Sequence, residues 1–300
     1  MAAPDVMLPQ IAIIGAGTFV RTQYIPRLRE IADHVIIKAI WSRSEESAKA
    51  AVELARDFVP KVECKWGDSG LDDIIQDSSI KGVAVVLAGQ VQVDISLKML
   101  RMGKHVIQVT LSDNTFFSKL NNVKKCCYKN MWNDYTSECY NRPKIVGCEI
   151  TAVSAIARHV DMALPPPDNL SALFQLENGC AGVFVMVVSS TSPKIYWRVD
   201  GSNGTVQIER GSDNGQHGYT VLLYKADGHC QRTFHPFSGV NEELKAFVHD
   251  IMQATTKEGV AGQKAEPRSS YVEGARDVAV LEAMLESSRK QGAQVHVKKF

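Results

Sequence analysis

Ile11-Ala12-Ile13-Ile14 runs straight into Gly15-Ala16-Gly17, and helical spacing begins at Thr18-Phe19. Two glycines one residue apart, between an apolar strand and a helix, can turn backbone N–H groups and the positive end of a helix towards a phosphate. Gly15 permits the sharp turn, and Gly17 lets the backbone approach the anion closely. Val20 stands where a third glycine would complete G-x-G-x-x-G, so the turn alone is a weak signal that a plain strand-turn-helix also explains.

A second candidate is Ser42-Arg43-Ser44, which follows the apolar run Val35–Trp41. In a dinucleotide fold the end of the second strand meets the adenine ribose. An acidic residue there binds the 2′-hydroxyl of NAD, whereas an Arg accommodates the 2′-phosphate of NADP. No acid occupies the strand end, and Glu45 and Glu46 fall inside the next helix. The fork of Arg43 suits a phosphate, so NADP is the expected cofactor and NAD the alternative; a solvated loop cation is the plain reading of the same residue. A third group, Ala88-Gly89-Gln90 with Gln92 and Asp94, follows the fourth strand, where the nicotinamide end belongs. Asp94 suits the cap of the following helix equally well.

The elements that must position these residues alternate along the first hundred positions. Helical spacing covers Thr18 to Ile31, with Pro26 bending it. Ser44 is the expected cap of a helix reaching about Phe58. A strand over 61–66 and a short helix over 71–76, with Ser69 as its candidate cap, come next. Gly82–Ala88 (G-V-A-V-V-L-A) reads as a strand buried on both faces. A helix over 91–102 stops at Gly103, and a strand opens at Lys104. This alternation predicts an α/β, Rossmann-type doubly wound parallel sheet, with its ligand across the strand ends near Gly15, Ser42 and Ala88. The second half predicts an α+β domain with a largely antiparallel open sheet. Its strands cover 149–159 and a hairpin across Asn178-Gly179, then 194–199, 205–209, 219–224 and 230–235, with helices over 242–254 and 272–288.

Composition removes several function classes. Three hundred residues suit two domains. The formal charge of +1, from 34 basic and 33 acidic residues, provides no basic field for nucleic acid. No apolar run is long enough to span a bilayer, and the N-terminus lacks a secretory pattern. The seven cysteines are odd in number and form no C-x-x-C, as expected of reduced thiols in a cytoplasmic protein. None of His159, His217, His229, His235 and His249 has a second ligand at zinc-like spacing, so no metal is expected.

The G-A-G turn, S-R-S, V-A-V-V-L-A, D-I-S-L-K-M-L-R-M and Gly103-Lys104-His105-Val106 together resemble the Gfo/Idh/MocA oxidoreductases, the glucose–fructose oxidoreductase and inositol dehydrogenase family. Ile145-Val146-Gly147, Val153-Ser154-Ala155, Asp168-Asn169, Leu176-Glu177-Asn178-Gly179, Gly201-Ser202-Asn203-Gly204-Thr205 and the late helix Y-V-E-G-A-R-D-V-A-V-L-E-A-M-L-E-S extend the resemblance. It implies an NAD(P)-binding domain over 1–108 and a C-terminal α/β domain over 145–300. It also implies hydride transfer between NADP and a hydroxyl of a sugar, inositol or similar polyol, and homo-oligomers built through the C-terminal sheet. Gly15, Ala16, Gly17, Thr18 and Phe19 would meet the pyrophosphate. Ser42, Arg43 and Ser44 would meet the adenosine end, and Ala88, Gly89 and Gln90 the nicotinamide side.

Two elements usual in that family are absent. Val109-Thr110-Leu111 stands where Glu-Lys-Pro is usual, and no Asp-x-Gly-x-His precedes Ile145, so no catalytic residue is assigned. Alcohol oxidation needs a base for the hydroxyl proton and a cation or donor for the developing oxyanion. Residues 109–144 contain no Ala or Gly, yet hold three cysteines and six asparagines, without helical or strand periodicity. This pattern suits a replacement segment of the kind alternative splicing produces. An incomplete sheet with an exposed edge is the expected consequence. A catalytically silent dinucleotide-binding or oligomerising protein, or an aberrant product, are the alternative readings.

Overall fold

The structure is a computed structural model that describes residues 8–87, 89–110, 126–130, 148–164, 166–192, 194–255 and 270–300; for 89–90, 109–110 and 126–130 only the backbone is described. Ala88 and most of 109–144 thus lie outside the described residues. The chain divides into two compact units, Met1–Trp132 with Gly239–Val278 and Phe300, and Asn133–Ser238 with Ala279–Lys299.

The first unit is built on β1 (Gln10–Ile14), β2 (Ile36–Ser42), β3 (Glu63–Trp66), β4 (Ile80–Val85), β5 (His105–Thr110) and β6 (Cys126–Asn130). They form one sheet in the order β3-β2-β1-β4-β5-β6, and every pair is parallel. The order reverses at β1, which pairs with β2 on one side and β4 on the other; a doubly wound sheet opens its ligand crevice at such a point. The sixth strand corrects the expectation of an incomplete sheet. C-C-Y-K-N offers no period-2 alternation, yet its backbone pairs from Val106↔Cys126 to Thr110↔Asn130.

Residues Ile11 to Ile14 are all 0% exposed because helices cover both faces of β1. Ile11 and Ile13 face a cluster with Ile37, Ile40, Ala84 and Ile107; Ala12 and Ile14 face one with Trp41, Val83, Val85 and Val106. The first face is packed by α1 (Ile25–Glu30), α2 (Glu45–Ala55) and α5 (Gly239–Thr255). The second is packed by α3 (Gly67–Gln76), α4 (Gly89–Arg101) and the start of α6 (Tyr271–Arg289). At Gly82 the approach of α5 is closest. A β-carbon there would stand 2.4 Å from Ile251 Cδ1 and 3.0 Å from Phe247.

The helix after the glycine turn is not one bent α-helix. Val20–Tyr24 forms a π-helical turn, in which the Ile25 N–H donates to Val20 C=O, before α1 begins. Pro26 has no N–H to continue the α-helical ladder, and a wider turn ahead of it accommodates that loss. The α3 helix begins at Gly67, so Ser69 lies inside it rather than at its cap.

A polar network closes the amino ends of the strands. Lys38 Nζ lies 3.0 Å from Asp77 Oδ2, while the Ser79 backbone N–H and hydroxyl donate to Asp77 Oδ1 at 2.8 and 2.6 Å. Burial raises the Asp77 carboxyl pKa, but the hydrogen bonds from Ser79 and Lys38 outweigh it and hold it at about 2. Lys104, 3% exposed, donates to the carbonyls of Asp77 and Ile80 at 2.6 and 3.1 Å. Its pKa is lowered by burial, with Lys81 adding to the effect and Asp77 opposing it.

The second unit contains two four-stranded antiparallel sheets. One has the order β14-β7-β8-β9, from β7 (Ile150–Arg158), β8 (Asn169–Leu176), β9 (Ala181–Val187) and β14 (Val295–His296). Its inner residues Val153, Leu170, Phe174 and Phe184 pack with Val280, Ala283 and Met284 of α6. The β8–β9 hairpin turns at Asn178-Gly179, where Gly179 has φ +82°, a conformation that glycine adopts without strain. Asp168 is 0% exposed and accepts the Val160 and Asp161 N–H groups at 2.7 Å each. Burial raises its pKa, while these bonds and the Asn169 side chain bring it down to about 2. The other sheet is a meander of β10 (Tyr196–Gly201), β11 (Gly204–Asp213), β12 (Gln216–Lys225) and β13 (Cys230–Pro236). No helix among the described residues is long and apolar enough to cross a membrane.

Gly82→Ala is expected to destabilise the first unit by about 1–3 kcal/mol through overpacking, read as a lower midpoint in urea unfolding. Asp77 has a folded pKa below its unfolded value of roughly 3.9. Its contribution, about 1–2 kcal/mol, is therefore present above about pH 4 and lost as pH falls through about 2. Asp77→Asn should lose that stability at neutral pH and match the parent near pH 2 in acid-unfolding curves.

Candidate functional site

The carboxyl ends of β1, β2 and β4 are stitched together by the backbone itself. The Gly15 N–H donates to Trp41 C=O at 2.8 Å, and the Val86 N–H donates to Ile14 C=O at 2.8 Å. Gly15 adopts φ +127°, and a β-carbon on it would stand 2.1 Å from the Val86 carbonyl oxygen. Both facts restrict the position to glycine. Gly17 differs: it is exposed, and a β-carbon there would meet nothing within 4 Å. Open space over a backbone at a helix start is what an anion needs in order to approach. The Arg21 N–H donates to Gly17 C=O at 3.2 Å, so the helical bonding starts at Gly17 and the leading N–H groups point out of that end.

Side chains around the turn divide between core and solvent. Ala16 is 4% exposed and packs in the first core cluster. The Phe19 ring leans on Tyr24 with centroids 5.6 Å apart, so only its backbone is available to an anion. Thr18 is exposed. Ser42 ends β2 half-buried, and Arg43 and Ser44 follow it exposed. Ser44 occupies the cap position of α2 without capping it: its hydroxyl meets Ser47 Oγ at 3.0 Å instead of a backbone N–H. Glu45, the nearest acid after Arg43, pairs with Lys49 at 2.8 Å.

On the β4 side the strand ends at Val85, earlier than expected, and the chain turns at Leu87. Gly89 and Gln90 open α4, while Ala88 lies outside the described residues. Because α4 starts at Gly89, Asp94 falls within the helix and not at its cap. Gln92 is turned into the fold: it is 1% exposed, and its side-chain amide donates to Leu87 C=O. Sequence reading also missed that Ser96 Oγ on α4 and Gln108 Oε1 on β5 are buried without a hydrogen-bond partner among the described residues. A glutamine inside the apolar run Val106–Thr110 was the signal available for the second.

The histidines are dispersed. His159 Nε2 is 2.9 Å from Leu164 C=O, and His229 Nδ1 is 3.2 Å from Asp227. His217 and His235 stand in the paired strands β12 and β13, and His249 meets Gln253 at 3.0 Å. Among the described residues no three His, Cys, Asp or Glu come together as a metal site would require. Among the described residues placed at the glycine turn, the end of β2 and the β4 crossover, Arg43 is the one charged group. The arrangement suits binding of a phosphorylated ligand, and the described residues in it include no partnered acid–base pair.

Residues 10–108 match the profile of an oxidoreductase family with an NAD-binding Rossmann fold, and residues 144–297 match the C-terminal α/β domain of the same family. Dehydrogenase FPY6 of Fusarium mangiferae is 40% identical over 99 residues, which is 32% of this chain and 28% of that protein. The chain thus matches little more than a quarter of that relative's length. Among solved structures, an oxidoreductase from Thermotoga maritima superposes with TM-score 0.73 at 17% identity, covering 96% of this chain and 98% of that one. Levoglucosan dehydrogenase in complex with NADH gives 0.71 at 14% identity, covering 97% and 99%. The myo-inositol dehydrogenase of Lactobacillus casei, in complex with NAD(H) and myo-inositol, gives 0.64 at 17%, covering 98% of each. At these identities the superpositions establish the fold. The two profiles, which match in order and take in most of the sequence, establish more: the chain belongs to the Gfo/Idh/MocA oxidoreductase family.

Proposed function

We propose that the chain binds NADP(H) at the carboxyl ends of β1, β2 and β4. In this reading it serves as an oxidoreductase acting on a hydroxyl of a sugar, inositol or similar polyol. The observation that carries the cofactor assignment is the pairing of an open Gly17 backbone at a helix start with an exposed Arg43 at the end of β2. Gly15, Gly17, Thr18 and the Phe19 backbone would hold the pyrophosphate. Ser42, Arg43 and Ser44 would hold the adenosine 2′-phosphate, with no carboxylate at the strand end to repel it. When bound, the nicotinamide supplies the hydride chemistry. The chain's own task is to fix its orientation and exclude water. NADH and NAD(H) in the levoglucosan and myo-inositol dehydrogenase structures support a nicotinamide dinucleotide in general; the choice of NADP rests on Arg43.

A second reading is favoured by one specific observation, Val109-Thr110-Leu111 in place of Glu-Lys-Pro. Without that lysine and without Asp-x-Gly-x-His, the chain would bind the dinucleotide and turn nothing over. Measuring NADPH oxidation and NADP reduction with a panel of polyols and their ketones separates the two readings.

The second unit favours self-association. Leu173, Val183, Val185 and Val187 are between 47% and 61% exposed. They lie on the outer face of β8 and β9, where Leu173 stands opposite Val183. A contiguous apolar sheet face of this kind suits a two-fold contact with a second copy.

NADPH is expected to bind more tightly than NADH. Arg43→Ala should weaken NADPH by about ten- to hundredfold, the value of a charge-assisted hydrogen bond, and leave NADH unchanged in a fluorescence titration. Equal affinities before and after the substitution would remove Arg43 from the site. Val185→Asp should convert an oligomer to a monomer in light scattering while leaving NADPH affinity unaltered. A parent that is already monomeric would defeat the sheet-face assignment.

A further inference from the structure

The crossover from β4 to α4 is held from two sides. On one side the Val86 N–H donates to Ile14 C=O at 2.8 Å, and the Val86 carbonyl occupies the space that a side chain at Gly15 would need. On the other, the next carbonyl, Leu87, accepts the amide of Gln92, which reaches back along the chain from the first turns of α4. Leu87 precedes the helix, so its carbonyl lies outside the regular α4 ladder, and a side chain has come to meet it. Gln92 stands on a helix whose neighbouring positions Val93 and Leu97 are core residues. Burying an amide on such a face is costly unless it is hydrogen-bonded. Its amide N–H bond to Leu87 meets part of that cost and, at the same time, fixes where the crossover runs.

We propose that Gln92 is a positioning residue of the dinucleotide site: by holding the Leu87 carbonyl, it keeps Val86-Leu87 pressed against the glycine turn. This inference rests on the dinucleotide reading above. Gly15 and the Val86 carbonyl are already in contact, so the crossover cannot move inwards. Gln92 prevents the opposite movement, outwards into the space beside the strand ends. A site whose wall is fixed beforehand binds without the cost of ordering it. The test uses a donor that can be switched. Leucine at position 92 fills the volume and donates nothing. Glutamate donates an O–H to Leu87 when protonated and repels that carbonyl when ionised, and burial favours the protonated form.

Gln92→Leu is expected to melt cooperatively and to raise the NADPH dissociation constant about tenfold, the effect of one lost buried hydrogen bond. Gln92→Glu should bind weakly at about pH 8 and recover towards the parent by about pH 5.5, read as the ratio of variant to parent affinity. A role in packing alone would lower the variant's melting temperature in step with its affinity, whereas loss of the Leu87 bond lowers affinity in a variant that still melts cooperatively at both pH values. A cooperatively melting Gln92→Leu with parental affinity, or a Gln92→Glu ratio that does not change with pH, would overturn the inference while leaving the cofactor assignment intact. A parent that binds neither NADPH nor NADH overturns the dinucleotide reading and this inference with it.

Discussion

A side chain at position 15 would place its first carbon 2.1 Å from the Val86 carbonyl, and much of the first unit follows from that exclusion. With glycine there, β1 can end against the crossover of β4, donate to the end of β2 and still begin a helix at Gly17. All three strand ends are then flush at the point where the sheet order reverses. Any larger residue would separate them and close the crevice. Gly17 has the opposite reason for being small: nothing presses on it, and the open space is the feature. Two glycines one residue apart thus act through different physics, one through contact and the other through access.

The sheet that carries this turn is secured at its two ends by different means. At the carboxyl end the fastening is backbone to backbone, through Gly15 to Trp41 and Val86 to Ile14. At the amino end it is ionic: Lys38, Asp77 and Ser79 bind one another, and Lys104 supplies the Asp77 and Ile80 carbonyls with a buried cation. The G-K-H-V stretch by which the sequence resembles its family therefore contributes its lysine to holding the fold at the amino ends of the strands. Between the two ends, Gly82 lets Phe247 and Ile251 of α5 lie directly on β4, so a helix from far along the chain completes the core of the first unit.

Legibility in the sequence followed the strength of the local signal. Ile11–Ile14, the run around Val83 and the Asn178-Gly179 hairpin were readable because strand burial and turn chemistry are written in a few adjacent residues. The helix expected over 91–102 begins at Gly89 instead, because Gly89 and Gln90 carry no helical preference strong enough to mark its start, and capping by Asp94, one of two readings of that residue, is lost with it. Ser44 was placed correctly at a helix start, yet its hydroxyl turned to Ser47, a choice between partners of similar strength that spacing does not encode. The π-helical turn before Pro26 was invisible for a related reason: proline announces a break, but not whether the chain bends or widens to absorb it. Least legible was β6, whose pairing is made by backbone groups that every residue carries.

Cofactor preference, on the proposed reading, comes as much from what the end of β2 lacks as from Arg43. A carboxylate there would bind a ribose hydroxyl and repel a phosphate; removing it changes the sign of the local field before any cation is added. Glu45 lies close enough in sequence to restore that negative field, but it is paired with Lys49 one turn along α2. The pair is exposed, with side chains 66% and 46% accessible, and such a pair adds little to stability. Its effect is directional: it draws the carboxylate along the helix surface and offsets its charge. Arg43 is then the charge that stands at the strand end itself, between Ser42 and Ser44. On the proposed reading, a weak surface ion pair that adds little to the fold thus lessens one of the negative charges next to the residue that would hold the phosphate.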